Sequence, residues 1–384
     1  MPQARVAVVV IFQTRTRYVD ECLAGIRALE GGPYPLILVP DAAVPEYEGL
    51  AVQAPLAAGI PQKRNRGLAE VPKDCEFVAF IDSDAYPQAS WIVKALRRFE
   101  AADLRTAAVT GLAFTPPNEP WSRRASTHAM ASALIVGKDI AANFDTRLAL
   151  GATRNASTCN LIVRMSVLRE IGGFDERLRT SEDVALSHEI LARGWVMLRD
   201  PEVIVYHHSR DLPHFYLQWF NEGLALVQRV RMAHAGASLL VCLPSLLLCF
   251  ELGLAALGQF PLLGALEAGQ FGLFLFDRLR SGLPPTEAAG AALAMWGFPK
   301  AYGLGGLLSL FCCLLVPDNT VYALHLRTGL WRRLHRATGG SGNGYDSWPP
   351  AEHTSSDKAS DKASDEVSPP SVIYSHALVA LPHA

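Results

Sequence analysis

The sequence predicts an α/β domain followed by an α-helical membrane region, and composition changes along its 384 residues support this division. Residues 1–235 alternate apolar and polar stretches, as a water-soluble α/β domain does. Residues 236–316 are mostly Leu, Ala, Gly, Phe and Cys with few charges. Residues 338–384 are rich in Ser, Asp, Lys, Pro and Gly and repeat Ser-Asp-Lys-Ala, which predicts a disordered tail.

Strand-like runs alternate with helix-compatible segments in the first part of the chain. The runs are Val6–Phe12, Leu36–Val39, Phe77–Ile81 and Ala107–Leu112, and the segments between them are Tyr18–Leu29, Gln62–Ala69 and Ala89–Ala101. This alternation predicts a parallel sheet with helices on its faces. Ligands of such sheets bind at the carboxyl ends of the strands. We therefore expect Gln13, Asp41 and Asp82-Ser83-Asp84 on one rim.

Charge and cysteine content narrow the class of protein. The formal net charge of -2 gives no overall basic field, so nucleic acid is not an expected partner. The seven cysteines show no CxxC or Cys/His spacing, which argues against a zinc or disulfide framework and favours a reducing compartment. The apolar run Val6–Phe12 is short for a signal peptide and lacks a cleavage site, so we expect this domain in the cytoplasm.

An acidic pair follows the buried strand that ends at Ile81. Asp82 and Asp84 stand at i and i+2, so they point the same way from an extended segment. Like charges so placed cost free energy unless a cation or strong donors neutralise them. Hard divalent cations bind carboxylate oxygens and add substrate phosphates. The pair predicts a metal site that holds a diphosphate, and a solvated turn capping the next helix is the alternative.

A second acidic group stands at the start of the predicted helix Val184–Arg193. Ser181 is a candidate N-cap, and Glu182 and Asp183 lie in the first turn, where the helix dipole keeps carboxylates ionised. An ionised carboxylate is the form that a general base requires. N-terminal capping alone explains the same pattern equally well.

Two histidines end the predicted strand Val203–Tyr206. A neutral imidazole from His207 or His208 can join carboxylates on Mn²⁺ or a similar ion. Surface histidines at a strand end are the alternative. The order of the three groups along the chain favours one shared site.

Five segments resemble, in order, the motifs of one enzyme family. They are Lys63-Arg64-Asn65-Arg66-Gly67-Leu68, Asp82-Ser83-Asp84-Ala85-Tyr86-Pro87, Gly172-Gly173-Phe174-Asp175-Glu176, Ser181-Glu182-Asp183-Val184-Ala185-Leu186 and Pro201-Glu202-Val203-Ile204-Val205-Tyr206-His207. On these segments residues 5–209 resemble an inverting family 2 glycosyltransferase with the GT-A fold, a mixed sheet flanked by helices. The resemblance covers somewhat over half of the chain.

The resemblance implies a role for each matching carboxylate and histidine. Asp84 would bind a divalent metal, Mn²⁺ or Mg²⁺, through the diphosphate of a nucleotide-sugar donor. His207 would be a further metal or diphosphate ligand, with His208 as its substitute. Asp183 would deprotonate the acceptor hydroxyl, and Glu182 would orient the acceptor or the base.

The resemblance also implies a donor pocket. Asp82 would contact the ribose or uracil side, Asp41 the nucleoside base, and Arg64 and Asn65 the pocket wall. Gln13 lies where the first strand of the family usually ends in Pro-Thr-Tyr-Asn, and the second strand keeps only one of two usual acids. The Gln-x-x-Arg-Trp motif of processive members is not evident; Gln228-Arg229-Val230-Arg231 lacks the Trp, which favours single transfers.

The C-terminal part predicts membrane attachment. Residues 212–235 are predicted to form an amphipathic helix whose aromatics and arginines suit a membrane interface, and an ordinary helix packed on the α/β domain is an equal alternative. The predicted spans, compared with the roughly 20 residues that a bilayer requires, are Ser238–Gly258, Phe260–Phe276 and Ala288–Val316. The arginines that follow, which the positive-inside bias puts in the cytoplasm, are Arg327, Arg332, Arg333 and Arg336. A soluble helical domain is the alternative.

These predictions divide the chain into four parts. They are a GT-A glycosyltransferase domain at 1–210, an interfacial helix at 211–235, transmembrane helices at 236–320, and a basic juxtamembrane segment with a disordered tail at 321–384. We expect an integral protein of the inner or plasma membrane whose catalytic domain is cytoplasmic. The acceptor is expected to be a glycan or a lipid-linked molecule in cell-surface glycan or glycolipid synthesis.

Two other functions compete with this one. A nucleotidyltransferase would share the sheet and the Asp-based metal site, but it usually carries a Gly-rich loop and a Lys near the N-terminus. Ala57-Ala58-Gly59-Ile60 is only faintly Gly-rich. A catalytically inactive GT-A domain serving as a membrane scaffold is the non-enzymatic alternative, and the retained carboxylates argue against it.

Overall fold

The computed structural model describes residues 6–145, 150–178, 180–227 and 239–315. Several sequence predictions lie outside these residues and stay predictions. They are the Gln228-Arg229-Val230-Arg231 segment with the rest of the interfacial helix to residue 235, the arginine cluster of residues 327–336, and the tail of residues 338–384.

Nine strands within the described residues form one mixed sheet. They are β1 (Val6–Ile11), β2 (Leu36–Val39), β3 (Val52–Gln53), β4 (Phe77–Asp82), β5 (Ala85–Pro87), β6 (Thr106–Phe114), β7 (Gly151–Ala152), β8 (Leu161–Arg164) and β9 (Val196–His207). Their order is β3-β2-β1-β4-β8-β6-β9-β5, and β7 also pairs with β9. The prediction of a mixed α/β sheet is confirmed.

The purely parallel sheet predicted from the alternation of strands and helices is wrong. β1 pairs in parallel with β2 and β4, and β6 pairs in parallel with β9. β8 lies between β4 and β6 and runs antiparallel to both. The chain between β6 and β8 passes through two helices and a short strand before it returns to the sheet in the opposite direction.

Helices cover both faces of the sheet. The helices of the described residues are α1 (Arg17–Arg27), α2 (Ile60–Ala69), α3 (Trp91–Ala101), α4 (Trp121–Met130), α5 (Ala133–Ala141), α6 (Met165–Ile171), α7 (Glu182–Ala192), α8 (Leu212–Leu224), α9 (Leu243–Ala256), α10 (Phe260–Arg280) and α11 (Pro285–Leu315). Short 3-10 helices are Pro45–Tyr47, Ala142–Phe144, Thr158–Asn160 and Leu239–Cys242.

The two faces of the sheet follow from the alternation of side chains along β1. Val8 and Val10 are buried in one cluster with Leu23 of α1. Val9 points to the opposite face and joins a cluster with Leu186 and Ile190 of α7. The same alternation therefore positions α7, whose first turn carries the acidic residues, against the sheet near the strand ends.

Asn160 is a buried polar group that joins three elements. Its Nδ2 donates to the carbonyl oxygens of Leu112 (3.0 Å) and Val203 (2.9 Å), and its Oδ1 accepts from Trp91 Nε1 at 2.7 Å. The β6–β9 ladder shifts register between Thr110 and Leu112. Asn160 thus satisfies backbone carbonyls at this irregularity. Its position fixes the 3-10 helix that precedes β8.

Replacing Asn160 with Ala is expected to lower the free energy of unfolding by about 3 kcal/mol, because three buried groups lose their partner. Urea denaturation followed by circular dichroism measures this change. Asn118→Ala is the matched control, since Asn118 is exposed in a loop. If Asn160→Ala lowers the free energy of unfolding by less than about 1 kcal/mol, Asn160 does not have this stabilising role.

The C-terminal helices pack against the α/β domain. Met295 and Phe298 of α11 are buried in one cluster with Phe215 of α8 and Ala129 of α4. The approach of α8 to α11 is close: a Cβ on Gly223 would lie 2.1 Å from the carbonyl oxygen of Tyr302. Residue 223 is therefore glycine because a larger side chain would clash with α11, and not because of an unusual backbone angle.

The predicted transmembrane helices are not confirmed. No helix within the described residues combines the length and the hydropathy that a bilayer crossing needs. Charged side chains lie among the apolar helices: Lys300 Nζ of α11 lies 3.3 Å from Glu251 Oε1 of α9 and 2.8 Å from Glu267 Oε2 of α10. The predicted third segment is part of one helix that contains Pro299.

Candidate active site

Asp84 and His207 meet where two strands end. β4 ends at Asp82, Asp84 lies in the turn that leads to β5, and β5 pairs with β9 so that Ala85 is opposite His207. This register brings His207 Nε2 to 3.3 Å from Asp84 Oδ1. Two residues predicted from separate parts of the sequence are therefore neighbours.

The Asp84–His207 pair is strongly polarised. Burial by itself raises the pKa of Asp84, but the charge and hydrogen bond of His207 outweigh it and lower the pKa to about 2. Burial lowers the pKa of His207, and the charge of Asp84 reverses this effect and raises it above the usual value. The carboxylate is thus held in its ionised form, the form that binds a cation.

The residues around this pair fit a divalent cation. One ligand atom from each of Asp82, Cys159 and His207 lies within 4.8 Å of the others. Asp84 adds a second carboxylate beside His207. Carboxylates with an imidazole form a set that Mn²⁺ accepts, and the carboxylates alone suit Mg²⁺. Cys159 was not predicted as a ligand, because a single cysteine before Asn160 has no spacing that marks it as one.

Arg64 connects the two acidic groups of the site. Its buried guanidinium donates from Nη1 to Glu182 Oε1 and from Nη2 to Asp82 Oδ1 at 3.4 Å. Burial raises the pKa of Asp82, the charge of Arg64 opposes this, and the charge of Asp84 adds to the rise. Glu182 is held in an ion pair, which leaves Asp183 as the other carboxylate of the first turn of α7.

Asp183 has the properties of a general base. Burial and then the charge of Glu182 raise its pKa to about 7, although the charge of Arg64 opposes the rise. Its Oδ1 accepts from the N–H of Val184 at 2.8 Å, which fixes the orientation of the carboxylate. A base with a pKa near neutrality combines a usable ionised fraction with proton affinity.

The start of α7 differs from the prediction. The helix begins at Glu182 rather than Val184. Ser181 is its N-cap residue, as predicted, but the Ser181 side chain makes no cap hydrogen bond. Ser181 is left-handed, with φ of 59°. Non-glycine residues in this region are strained and concentrate at functional sites. The turn presents Glu182 and Asp183 at its end.

Asp41 and Gln13 lie together at the ends of β1 and β2. The N–H of Asp41 donates to the carbonyl oxygen of Gln13 at 3.0 Å. Lys63 Nζ donates to the carbonyl oxygen of Phe12 at 2.6 Å and to the carboxylate of Asp41. Lys63 was not predicted as a site residue, although it belongs to the segment that resembles the family motif. The contacts of this buried ammonium group in the folded chain, rather than its position in the sequence, indicate that it belongs to the site.

Asn65 contacts the loop that precedes α7. Its Nδ2 donates to the carbonyl oxygen of Phe174 at 2.9 Å, and its Oδ1 accepts from the N–H of Phe174 at 2.8 Å. Gly173 has φ of +85°, and a Cβ there would lie 2.5 Å from Asn65 Oδ1. Asn65 therefore fixes the Gly172–Phe174 turn, whereas Arg64 reaches the acidic groups.

His208 points away from His207 and bonds other carboxylates. Its Nδ1 contacts Glu119, its Nε2 lies 2.8 Å from Glu21 Oε2, and its N–H donates to the carbonyl oxygen of Asp84 at 2.9 Å. His208 thus joins α1 and the loop before α4 to the turn that carries Asp84. These partners of His208 were not predicted from the sequence.

The chain is similar in sequence to a glycosyltransferase. It is 29% identical over 156 residues, 41% of this chain, to the pre-mycofactocin glycosyltransferase of Mycobacterium tuberculosis strain CDC 1551 / Oshkosh, and equally to that of strain H37Rv. The match spans about a third of the length of these curated relatives, 31%. No protein-family model matches the chain.

Two solved structures overlap partly with this one. The mannosyltransferase PcManGT from Pyrobaculum calidifontis, in complex with GDP-Man and Mn2+, gives a TM-score of 0.44 at 14% identity, over 88% of this chain and 84% of that chain. TarS of S. aureus, residues 1–349 with UDP-GlcNAc, gives 0.37 at 15% identity, over 58% and 66%. Likeness at this level does not transfer a function.

Proposed function

We propose that the chain is a metal-dependent, inverting glycosyltransferase that moves a sugar from a nucleotide-diphosphate sugar to an acceptor hydroxyl in single transfers. One observation carries the proposal: Asp183, whose pKa is about 7, stands beside Glu182, which Arg64 joins to Asp82 at the end of β4. A base is thereby connected to an Asp/His group that fits a cation. The similarity to a glycosyltransferase supports the same reaction class.

The donor side of the site is formed by Asp82, Asp84 and His207. Asp84 and His207 would hold the divalent cation, Mn²⁺ or Mg²⁺, and Asp82 would face the nucleoside. The bound cation would stabilise the negative charge of the departing diphosphate. The low pKa of Asp84 keeps its carboxylate charged at neutral pH, as this role requires. Asp41, Gln13 and Lys63 form the neighbouring rim for the nucleoside.

The acceptor side is formed by the first turn of α7. Asp183 would accept the proton of the acceptor hydroxyl as the oxygen attacks the anomeric carbon. Attack opposite the leaving diphosphate is a single displacement, so the anomeric configuration inverts, by the same geometry as in inverting hydrolysis. The ion pair with Arg64 holds Glu182 in place. The negative charge of Glu182 therefore maintains the raised pKa of Asp183.

The rate of transfer is expected to rise with pH through about 7, because only the ionised Asp183 accepts a proton. Glu182→Gln removes the like charge, so it should lower the pKa of Asp183 and move the rising limb to lower pH. The measurement is kcat against pH at saturating Mg²⁺ and substrates. An unchanged limb in Glu182→Gln, beside an unchanged Glu189→Gln control, would contradict this assignment.

A panel of nucleotide sugars tests the function. The full chain with Mn²⁺ or Mg²⁺ is expected to release nucleoside diphosphate from at least one donor, slowly to water and faster with an acceptor. Release of pyrophosphate from a nucleoside triphosphate and a sugar phosphate would instead support the nucleotidyltransferase. Binding without turnover of any donor, with mannose, glucose, galactose and their N-acetyl derivatives included, would support the inactive scaffold.

We also propose that the protein works at the cytoplasmic face of the inner or plasma membrane on a glycan or lipid-linked acceptor. Large apolar side chains of α9 and α10 are exposed and support this location. They include Leu246, Phe250, Phe260, Leu262 and Phe276. Exposed apolar side chains on two successive helices are suited to contact with lipid. Co-sedimentation of the full chain with phospholipid vesicles is expected, and an unbound chain at all lipid concentrations would contradict the location.

A further inference from the structure

A thiol lies among the predicted metal ligands. Cys159 belongs to the 3-10 helix Thr158–Asn160 and is 6% exposed. Its Sγ, one carboxylate oxygen of Asp82 and one ring nitrogen of His207 lie within 4.8 Å of one another. The side chains of Asp82 and His207 are 34% and 19% exposed, so the group opens toward solvent on their side.

Each member of this group is held by the fold. The neighbouring Asn160 bonds β6, β9 and α3, which fixes the 3-10 helix that carries Cys159. His207 is fixed by the pairing of β9 with β5. Asp82 is the last residue of β4, and its carbonyl oxygen contacts Cys22 Sγ at 3.7 Å. Rigid supporting elements favour a preorganised site.

We infer that Asp82, Cys159 and His207 form a binding site for a thiophilic divalent cation, and Zn²⁺ is the cation that we expect there. Carboxylate, thiolate and imidazole are the three ligand types of zinc sites, and three protein ligands leave a fourth position for water or a ligand. Hard cations such as Mg²⁺ gain little from sulfur, whereas Zn²⁺ gains from it. The thiol proton is released to solvent when the sulfur binds the metal.

The site would act as an inhibitory one. It uses Asp82 and His207, two residues of the proposed donor site, so a Zn²⁺ held by Cys159 excludes the cation that Asp84 and His207 would share with a diphosphate. The inference shares residues with the proposed function, but zinc binding itself requires neither a nucleotide nor sugar transfer.

Metal titration of the full chain tests this site. With Co²⁺ as a spectroscopic probe we expect a sulfur-to-metal charge-transfer band, which Zn²⁺ abolishes by displacement. Cys159→Ser should remove the band and weaken Zn²⁺ binding by at least about tenfold. Cys22→Ser is the matched control, because Cys22 is also buried and contacts Asp82 but is not one of the three ligands. Cys22→Ser should keep both the charge-transfer band and the affinity for Zn²⁺.

Two outcomes would overturn the site. They are the absence of a charge-transfer band in the unaltered chain, and a band of full intensity in Cys159→Ser. If Cys159→Ser does not fold, His207→Gln keeps the thiol and should weaken Zn²⁺ binding by at least about tenfold, and unchanged affinity there also overturns it. Nucleotide-sugar binding with Mg²⁺ in Cys159→Ser tests the donor site separately, since Mg²⁺ does not depend on sulfur.

Discussion

Asp183→Asn is expected to lower sugar transfer by about 10³-fold or more while leaving nucleotide-sugar binding unchanged. The amide keeps the size of the side chain but has no proton affinity, so the acceptor hydroxyl stays protonated as it attacks. Asp183 contacts Val184 rather than the Asp84–His207 pair, and the donor side should therefore persist. Transfer kinetics and donor titration calorimetry on the same preparation measure both properties.

The stability of this variant provides an independent check. Because the pKa of Asp183 is raised above its ordinary 3.8 to about 7, the folded state resists an ionisation that the unfolded chain undergoes readily. This penalty is absent at low pH and grows as pH rises from about 4 toward 7. Asn cannot ionise, so the Tm of Asp183→Asn should exceed that of the unaltered chain at alkaline pH and match it in acid.

A control on the same helix separates catalysis from folding. Glu189 lies about one and two-thirds turns after Asp183 on α7 and forms an exposed ion pair with Arg193. Glu189→Gln should transfer sugar at the original rate. Full turnover in Asp183→Asn, together with an unchanged Tm at alkaline pH, would remove Asp183 from the reaction and require another base.

Asp84→Asn is expected to abolish metal-dependent donor binding, with an affinity loss of at least about 10²-fold. The variant loses the carboxylate that His207 holds ionised, and the two remaining neighbours, Asp82 and His207, provide a weaker set for Mn²⁺ or Mg²⁺. Calorimetric titration with a nucleotide sugar, with and without the metal, measures the difference. Added metal should no longer increase the affinity of this variant for the nucleotide sugar at any metal concentration.

Asp103→Asn is the matched control for this change. Asp103 lies in the exposed turn before β6, where its carboxylate accepts from the N–H of Arg105. The control should bind the donor with unaltered metal dependence. Equal affinity and equal metal dependence in Asp84→Asn and Asp103→Asn would show that Asp84 is not a ligand and would leave Asp82 and His207 as the remaining candidates.

The rim of the sheet was predictable because it follows from strand alternation alone. Asp82, Asp41 and Gln13 come after apolar runs, and the carboxyl ends of β1, β2 and β4 share one edge. His207 followed from the last apolar run for the same reason. Local patterns of this kind need only neighbouring residues, so the sequence contains them.

The contacts that were missed join residues far apart in the chain. Lys63 reaches Phe12 and Asp41, and Cys159 lies near Asp82 and His207 only through the reversed strand β8. Contacts between residues so far apart in the chain cannot be predicted from the spacing of neighbouring residues. The apolar C-terminal region was interpreted by composition, which does not show that Glu251, Glu267 and Lys300 pair across helices.

The ion pairs of Arg64 have a consequence for the order in which substrates bind. The charge of Asp82 raises the pKa of Asp183, and the charge of Arg64 lowers it. A cation that arrives with the donor would offset the charge of Asp82, while Arg64 stays paired with Glu182, so the pKa of Asp183 would fall and more of the base would be ionised. We therefore expect an ordered mechanism, donor first and acceptor second, which product-inhibition patterns distinguish from random addition.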